Sequence, residues 1–139
     1  MDIYNFWFTN EKLWHNCSEA DDKLIIKKFY YLLNLNIHPI GRKDLVESII
    51  LYDQLVRHFF RGCLLPKIYS DLALTYSKQI LNSNLINECL PQELCFVLMP
   101  FRHLKTVNSI EYCIKIIMEY EFNNKYIQRF YNASIKSLS

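Results

Sequence analysis

A chain of 139 residues, 51% hydrophobic and 22% charged, has the apolar material for one core and too little length for two independent ones. Its formal charge of +2, with both signs spread along the sequence, excludes a strong field for nucleic acid or an anionic lipid surface. No apolar run approaches the roughly 20 residues of a membrane-spanning helix, and two glycines with four prolines leave few places for the positive φ of tight hairpins, so an all-α single domain is expected.

In chain order, Ile3 to Phe8 reads as a short aromatic helix, with Trp14 in the loop behind it; both pin the N-terminus to the core. Ser18, followed by Glu19, Asp21 and Asp22, reads as an N-cap with an acidic first turn, and Leu24, Ile25, Phe29, Leu32 and Leu33 then recur at helical spacing to about Asn34. Pro39 and Gly41 break the chain. Leu45, Val46, Ile49 and Ile50 open a third helix that runs to Gly62. A fourth covers Ile68 to Leu81, NSNLINE is a loop, and Pro91 opens QELCFVLM, which is apolar nearly all round and therefore central, with a buried strand as the alternative. Pro100 closes that element. Val107 to Tyr120 and Asn124 to Lys136 are the last two helices, for a total of six to seven.

The third helix carries the most informative residues. Ile49, Asp53, Arg57 and Arg61 advance in steps of four, so charge is placed where an apolar face has begun. Asp53 can neutralise only one of the two guanidiniums. A second anion is required, either Asp22, Asp71 or Glu111 within the chain or a ligand phosphate or carboxylate held by the planar fork. Gln54 and His103 are candidates to join this cluster, His103 by pointing back across the bundle after Pro100. If Arg57→Ala left a buried Asp53 unpaired, it would cost roughly 3 to 5 kcal/mol.

Other chemistry is poorly supported. His15, His38, His58 and His103 lack metal-ligand spacing, so neither a metal nor a cofactor is expected, and there is no phosphate loop or nucleophile elbow. The five cysteines lack CxxC spacing and read as reduced structural thiols. The N-terminal MDIYNFWFTNEK has no basic segment ahead of an apolar one, so a cytoplasmic protein without signal peptide or membrane span is expected. Lys115, Lys125, Arg129 and Lys136 form a basic C-terminal stretch, but Glu111, Glu119 and Glu121 interrupt it, which makes nucleic acid an unfavoured partner.

The string LYDQLVRHFFRG, Leu51 to Gly62, resembles the LLDQFPRNIFRG signature of the DUF924 family of uncharacterised proteins. The likeness extends upstream to FWF, Phe6 to Phe8, and to Asp22, Ile25 and Phe29; downstream it takes in YSDLAL around Asp71 and LCFVLMPFRH, similar to the family's FLYLPLMHSE. The resemblance implies an all-helical, tetratricopeptide-like fold and carries no established reaction. It also has departures: His103, Leu104 and Lys105 stand where the family has His-Ser-Glu, and Leu55, Val56, Arg57 and His58 stand where it has Phe-Pro-Arg-Asn. Two functions are compatible with these residues. One is a noncatalytic binding or adaptor module whose groove takes a protein or peptide partner. The alternative is a pocket for a small anionic ligand, catalytic or not, built on Asp53, Arg57, Arg61 and His103 with Gln54.

Overall fold

The computed structural model describes residues 2–120 and 123–139 and contains no strand among them. Glu121, expected to interrupt the basic stretch, lies outside the described residues. The fold is all-α. Helix α1 (Ile3–Phe8) buries Ile3 and Trp7, one turn apart on the same face. Trp14, expected in a loop, instead ends a 3₁₀ turn (Glu11–Trp14). That turn carries its indole onto Trp7, where Nε1 donates to the Trp7 carbonyl at 3.0 Å.

Ser18 caps α2 (Glu19–Phe29) as its sequence announces: its hydroxyl accepts from the Asp21 N–H, and the Asp21 carboxylate accepts from the Ser18 N–H. The helical path continues toward Asn34, but its last part tightens into a 3₁₀ turn (Tyr30–Asn34). The third rod is continuous from α3 (Gly41–Ile49) through a π turn (Ile50–Leu55) into α4 (Val56–Phe59). A reverse turn follows in which Gly62 takes a φ of +81°, a conformation that favours glycine. Next come α5 (Lys67–Leu81), a 3₁₀ turn (Asn84–Glu88) where a plain loop was expected, and α6 (Pro91–Arg102).

Two expectations for α6 are corrected or decided. It is a helix, not a strand, and Pro100 lies inside it. In the last turn a proline forfeits one backbone hydrogen bond without breaking a long downstream ladder, so the helix runs on to Arg102. Thr106 caps α7 (Val107–Ile117), and Asn124 caps α8 (Lys125–Leu138) through the N–H groups of Tyr126 and Ile127. With α3, the π turn and α4 counted as one, the described residues hold seven helical rods.

The packing accounts for the apolar circumference of α6. Phe96 and Val97 belong to a core cluster with Ile25, Ile49, Leu51 and Leu55, whereas Leu94, Cys95 and Leu98 belong to a second cluster with Cys113, Ile117, Ile127 and Phe130. An ordinary surface helix needs one apolar stripe; α6 serves two cores on opposite sides and needs two. Its neighbours are then fixed, with α5 on one side and α7 and α8 on the other. Among the described residues no helix is long and apolar enough to cross a membrane.

Candidate functional site

The π turn decides where the charged row points. Its extra residue rotates everything downstream by about 100° relative to a straight helix. His58 thus takes the inward direction that a four-residue step gives to Arg57. The burial follows: His58 is buried and the Arg57 side chain is 41% exposed.

Asp53, only 4% exposed, is the centre of the first polar cluster. Its Oδ1 accepts from His103 Nδ1 at 2.8 Å and its Oδ2 from Gln54 Nε2 at 2.7 Å. Arg57 approaches from the open side, where Nε donates to the Asp53 carbonyl at 2.8 Å and Nη2 lies 3.8 Å from the carboxylate. So Asp53, Gln54, Arg57 and His103 do come together. Arg61 does not join them.

Arg61 turns instead to Asp22 on α2, one of the acids named as its possible partner, and donates from Nε to Oδ2 at 2.6 Å. The other Asp22 oxygen accepts from His58 Nδ1 at 2.7 Å. Burial by itself would raise the Asp22 carboxyl, but the hydrogen bonds and charges of Arg61 and His58 outweigh it and hold the group below the ordinary carboxylate value. Cys17 Sγ sits 4.0 Å from His58 Nε2, which completes a Cys-His-Asp sequence of contacts. Burial and the charge of Asp21 raise the Cys17 thiol, however, and its Sγ lies 2.9 Å from the Leu13 carbonyl as a donor, so it is held as a protonated thiol and not as a nucleophilic thiolate. The spatial reach from α2 to α4 carries no local signature in the sequence.

A third acid, Glu93 at the start of α6, is fully buried. It accepts from the Tyr4 hydroxyl, from Arg42 and from the Leu90 N–H. This network ties α1 and α3 to the N-terminus of α6 and spends its hydrogen-bonding capacity within the protein.

An aromatic-walled cavity lies between α6 and α8 and measures about 230 Å³. Trp14, Phe96, Tyr126 and Phe130 make its apolar walls, while Gln54, Gln92, Arg102, Arg129 and His15 supply the polar groups. No Asp or Glu is among the described residues that line it. Arg102 sits over Phe130, with its guanidinium carbon 4.7 Å from the ring centroid, and forms no ion pair among the described residues. Burial lowers its pKa, while the acidic groups Cys113, Cys95 and Asp53 act in the opposite sense. Arg129 Nη1 lies 3.0 Å from His15 Nε2, and burial, followed by the charge of Arg129, lowers the His15 pKa and favours the neutral ring that can accept this bond.

Compared with known families, the chain matches the one described as bacterial protein of unknown function (DUF924) over residues 3–137. It belongs to the DUF924 family. No curated protein and no solved structure matches it. The stretch that resembles the DUF924 signature, Leu51 to Gly62, takes in all but the first residue of the π turn and includes Asp53, Arg57 and Arg61. In the second stretch that resembles the family, His103 contacts Asp53. Lys105 sits at φ +60° on the exposed turn after α6.

The cavity's cationic wall has little signature in the sequence. Arg102 has no acidic neighbour at helical spacing to draw notice beside His103, and Arg129 reads only as part of a basic surface. The one available signal is the placement of Arg102 at the end of the helix expected to be apolar all round. Among the described residues there is no group of three or more His, Cys, Asp or Glu able to hold a metal ion.

Proposed function

We propose that this DUF924 protein is a noncatalytic binding module, one helical domain of tetratricopeptide-like type, whose cavity between α6 and α8 receives a small organic ligand. The observation that carries this reading is the cavity itself: four aromatic walls with a few polar groups set among them. That mixture is what small-molecule sites use, apolar surface for affinity and a few polar groups for orientation. The volume of about 230 Å³ is below the roughly 300 Å³ at which pockets begin to hold drug-sized compounds, which favours a ligand of metabolite size.

The residues singled out in the third helix take graded roles here. Gln54 lines the cavity and touches the ligand, while Asp53 and His103 hold its amide in place. Arg57 and Arg61, engaged with Asp53 and Asp22, secure the rod that carries Gln54. The test uses Trp14, which faces the cavity, as a fluorescent reporter in titrations with a panel of small organic acids, alcohols and amines. A saturable change for at least one compound, abolished in Ala133→Phe with thermal stability retained, supports the proposal. If no compound shifts either Trp14 emission or the melting temperature, the cavity is not a binding site.

A further inference from the structure

The arginines of the cavity wall differ from the other arginines of the chain. Arg57, Arg61 and Arg42 each meet a carboxylate of the chain, with buried Asp53, Asp22 and Glu93 as partners. Arg102 and Arg129 meet none among the described residues, yet both line the same cavity. They also face the same thiol. Burial pushes Cys95 up to about 12, and the charges of Arg102 and Arg129 both pull it in the other direction. Two cations are therefore directed at one half-enclosed space with aromatic walls and no carboxylate lining it.

A half-buried guanidinium without a carboxylate in contact is costly, and at half-buried Arg42 the chain itself supplies that carboxylate from Glu93. Arg102 is half-buried in the cavity wall, with Asp53 acting on it only at longer range, and Arg129 is exposed at the rim, so an anion in the cavity would supply the contact that Arg102 lacks among the described residues. The setting of Arg102 also suits an oxyanion, because its guanidinium sits over the Phe130 ring without a carboxylate partner among the described residues, and its planar fork can grip two oxygens of one group. Arg129 has given one donor to His15 and retains the others. At the far side, Gln54 directs its amide N–H toward Asp53 Oδ2, leaving its carbonyl oxygen as an acceptor for a ligand donor.

We infer that the ligand is a small organic oxyanion, a carboxylate or phosphate carried on a flat apolar body, with the oxyanion held by Arg102 and Arg129 and the flat body seated among Trp14, Phe96 and Tyr126. This inference rests on the reading of the cavity as a binding site and adds the chemical class of its occupant. Aromatic walls suit a flat body, because edge and face contacts are both available: Trp14 meets Phe96 edge-on at 4.8 Å and lies tilted to Tyr126 at 5.8 Å.

The experiment compares phenylacetate, phenyl phosphate, neutral 2-phenylethanol and inorganic phosphate by Trp14 fluorescence and calorimetry on the full chain. The two aryl oxyanions are expected to bind about 10-fold or more tightly than 2-phenylethanol, the advantage of a charge-assisted contact over a neutral one. Arg102→Gln should remove that advantage, bringing the ratio of aryl-oxyanion to 2-phenylethanol affinity to near 1. Arg102→Lys, which keeps the charge but loses the fork, should recover only part of it, and circular dichroism verifies that both variants fold. Equal binding of the neutral and anionic aryl compounds, unchanged in Arg102→Gln, would overturn the oxyanion assignment and leave the binding module standing. Inorganic phosphate binding as tightly as phenyl phosphate would overturn the flat body. Binding by none of the four, with Trp14 emission unmoved, would remove the cavity reading together with this one.

Discussion

Two sets of arginines in this protein have opposite circumstances. Arg57, on the rod that contains the π turn, and Arg61, in the turn that follows the rod, each meet a buried aspartate, Asp53 or Asp22. Arg102 and Arg129, on α6 and α8, meet an aromatic ring, a neutral imidazole and an open cavity. The first set balances charge inside the fold; the second leaves positive charge for something else.

That contrast is most exposed at Asp22. Asp22→Ala removes the acceptor of both His58 and Arg61 and should cost about 3 kcal/mol in denaturant unfolding, because a buried polar network is broken from its centre. A loss below about 1 kcal/mol would show that the paired arginines are dispensable to the fold. The same acid predicts a pH dependence. Its folded pKa lies below the unfolded value of about 3.9, so its contribution is present above that pH and is lost as pH falls through the folded value. A melting-temperature profile should therefore drop more steeply below about pH 4 in the wild type than in Asp22→Asn.

The unpaired set should respond in the other sense. Arg102→Met replaces a half-buried lone cation by an apolar chain of similar length. Stability should stay within about 1 kcal/mol of wild type or rise, since no carboxylate loses its partner. A large loss by the same unfolding assay would place Arg102 with the structural arginines and erase the distinction. The smallest effect is expected from Arg57→Ala, about 1 kcal/mol or less in denaturant unfolding. This revises the 3 to 5 kcal/mol that the sequence invites, because Asp53 retains His103 and Gln54 and the Arg57 head is open to water. A loss as large as that of Asp22→Ala would show that Arg57 carries the Asp53 charge alone.

How far the sequence could be read depended on the range of the interactions involved. Ser18 with Asp21, Pro91 and Asn124 mark helix starts by contacts within one turn, and each is found at its helix start. The same holds for the apolar circumference of QELCFVLM, which reports a helix with neighbours on both sides. The meeting of Asp53 with His103, fifty residues apart, was within reach because PFRH follows a central helix. Arg61 with Asp22 stood open among three acids, and only the placement of α2 beside α4 selected one.

The sequence by itself determined that the chain is helical, where most helices begin, which helix is central and that the charged row in the third helix needs acidic partners, since these follow from local periodicity, capping chemistry and charge balance. Tertiary structure alone decided three further matters. The π turn put His58 inward and Arg57 outward, the docking of α2 gave Asp22 to Arg61, and the packing of α8 on α6 left Arg102 and Arg129 around a cavity. Each of these is a relation between segments far apart in the chain or a register shift of one residue. Neither leaves a mark in local spacing, because a side chain's direction is set by its helix but its neighbour is set by the fold.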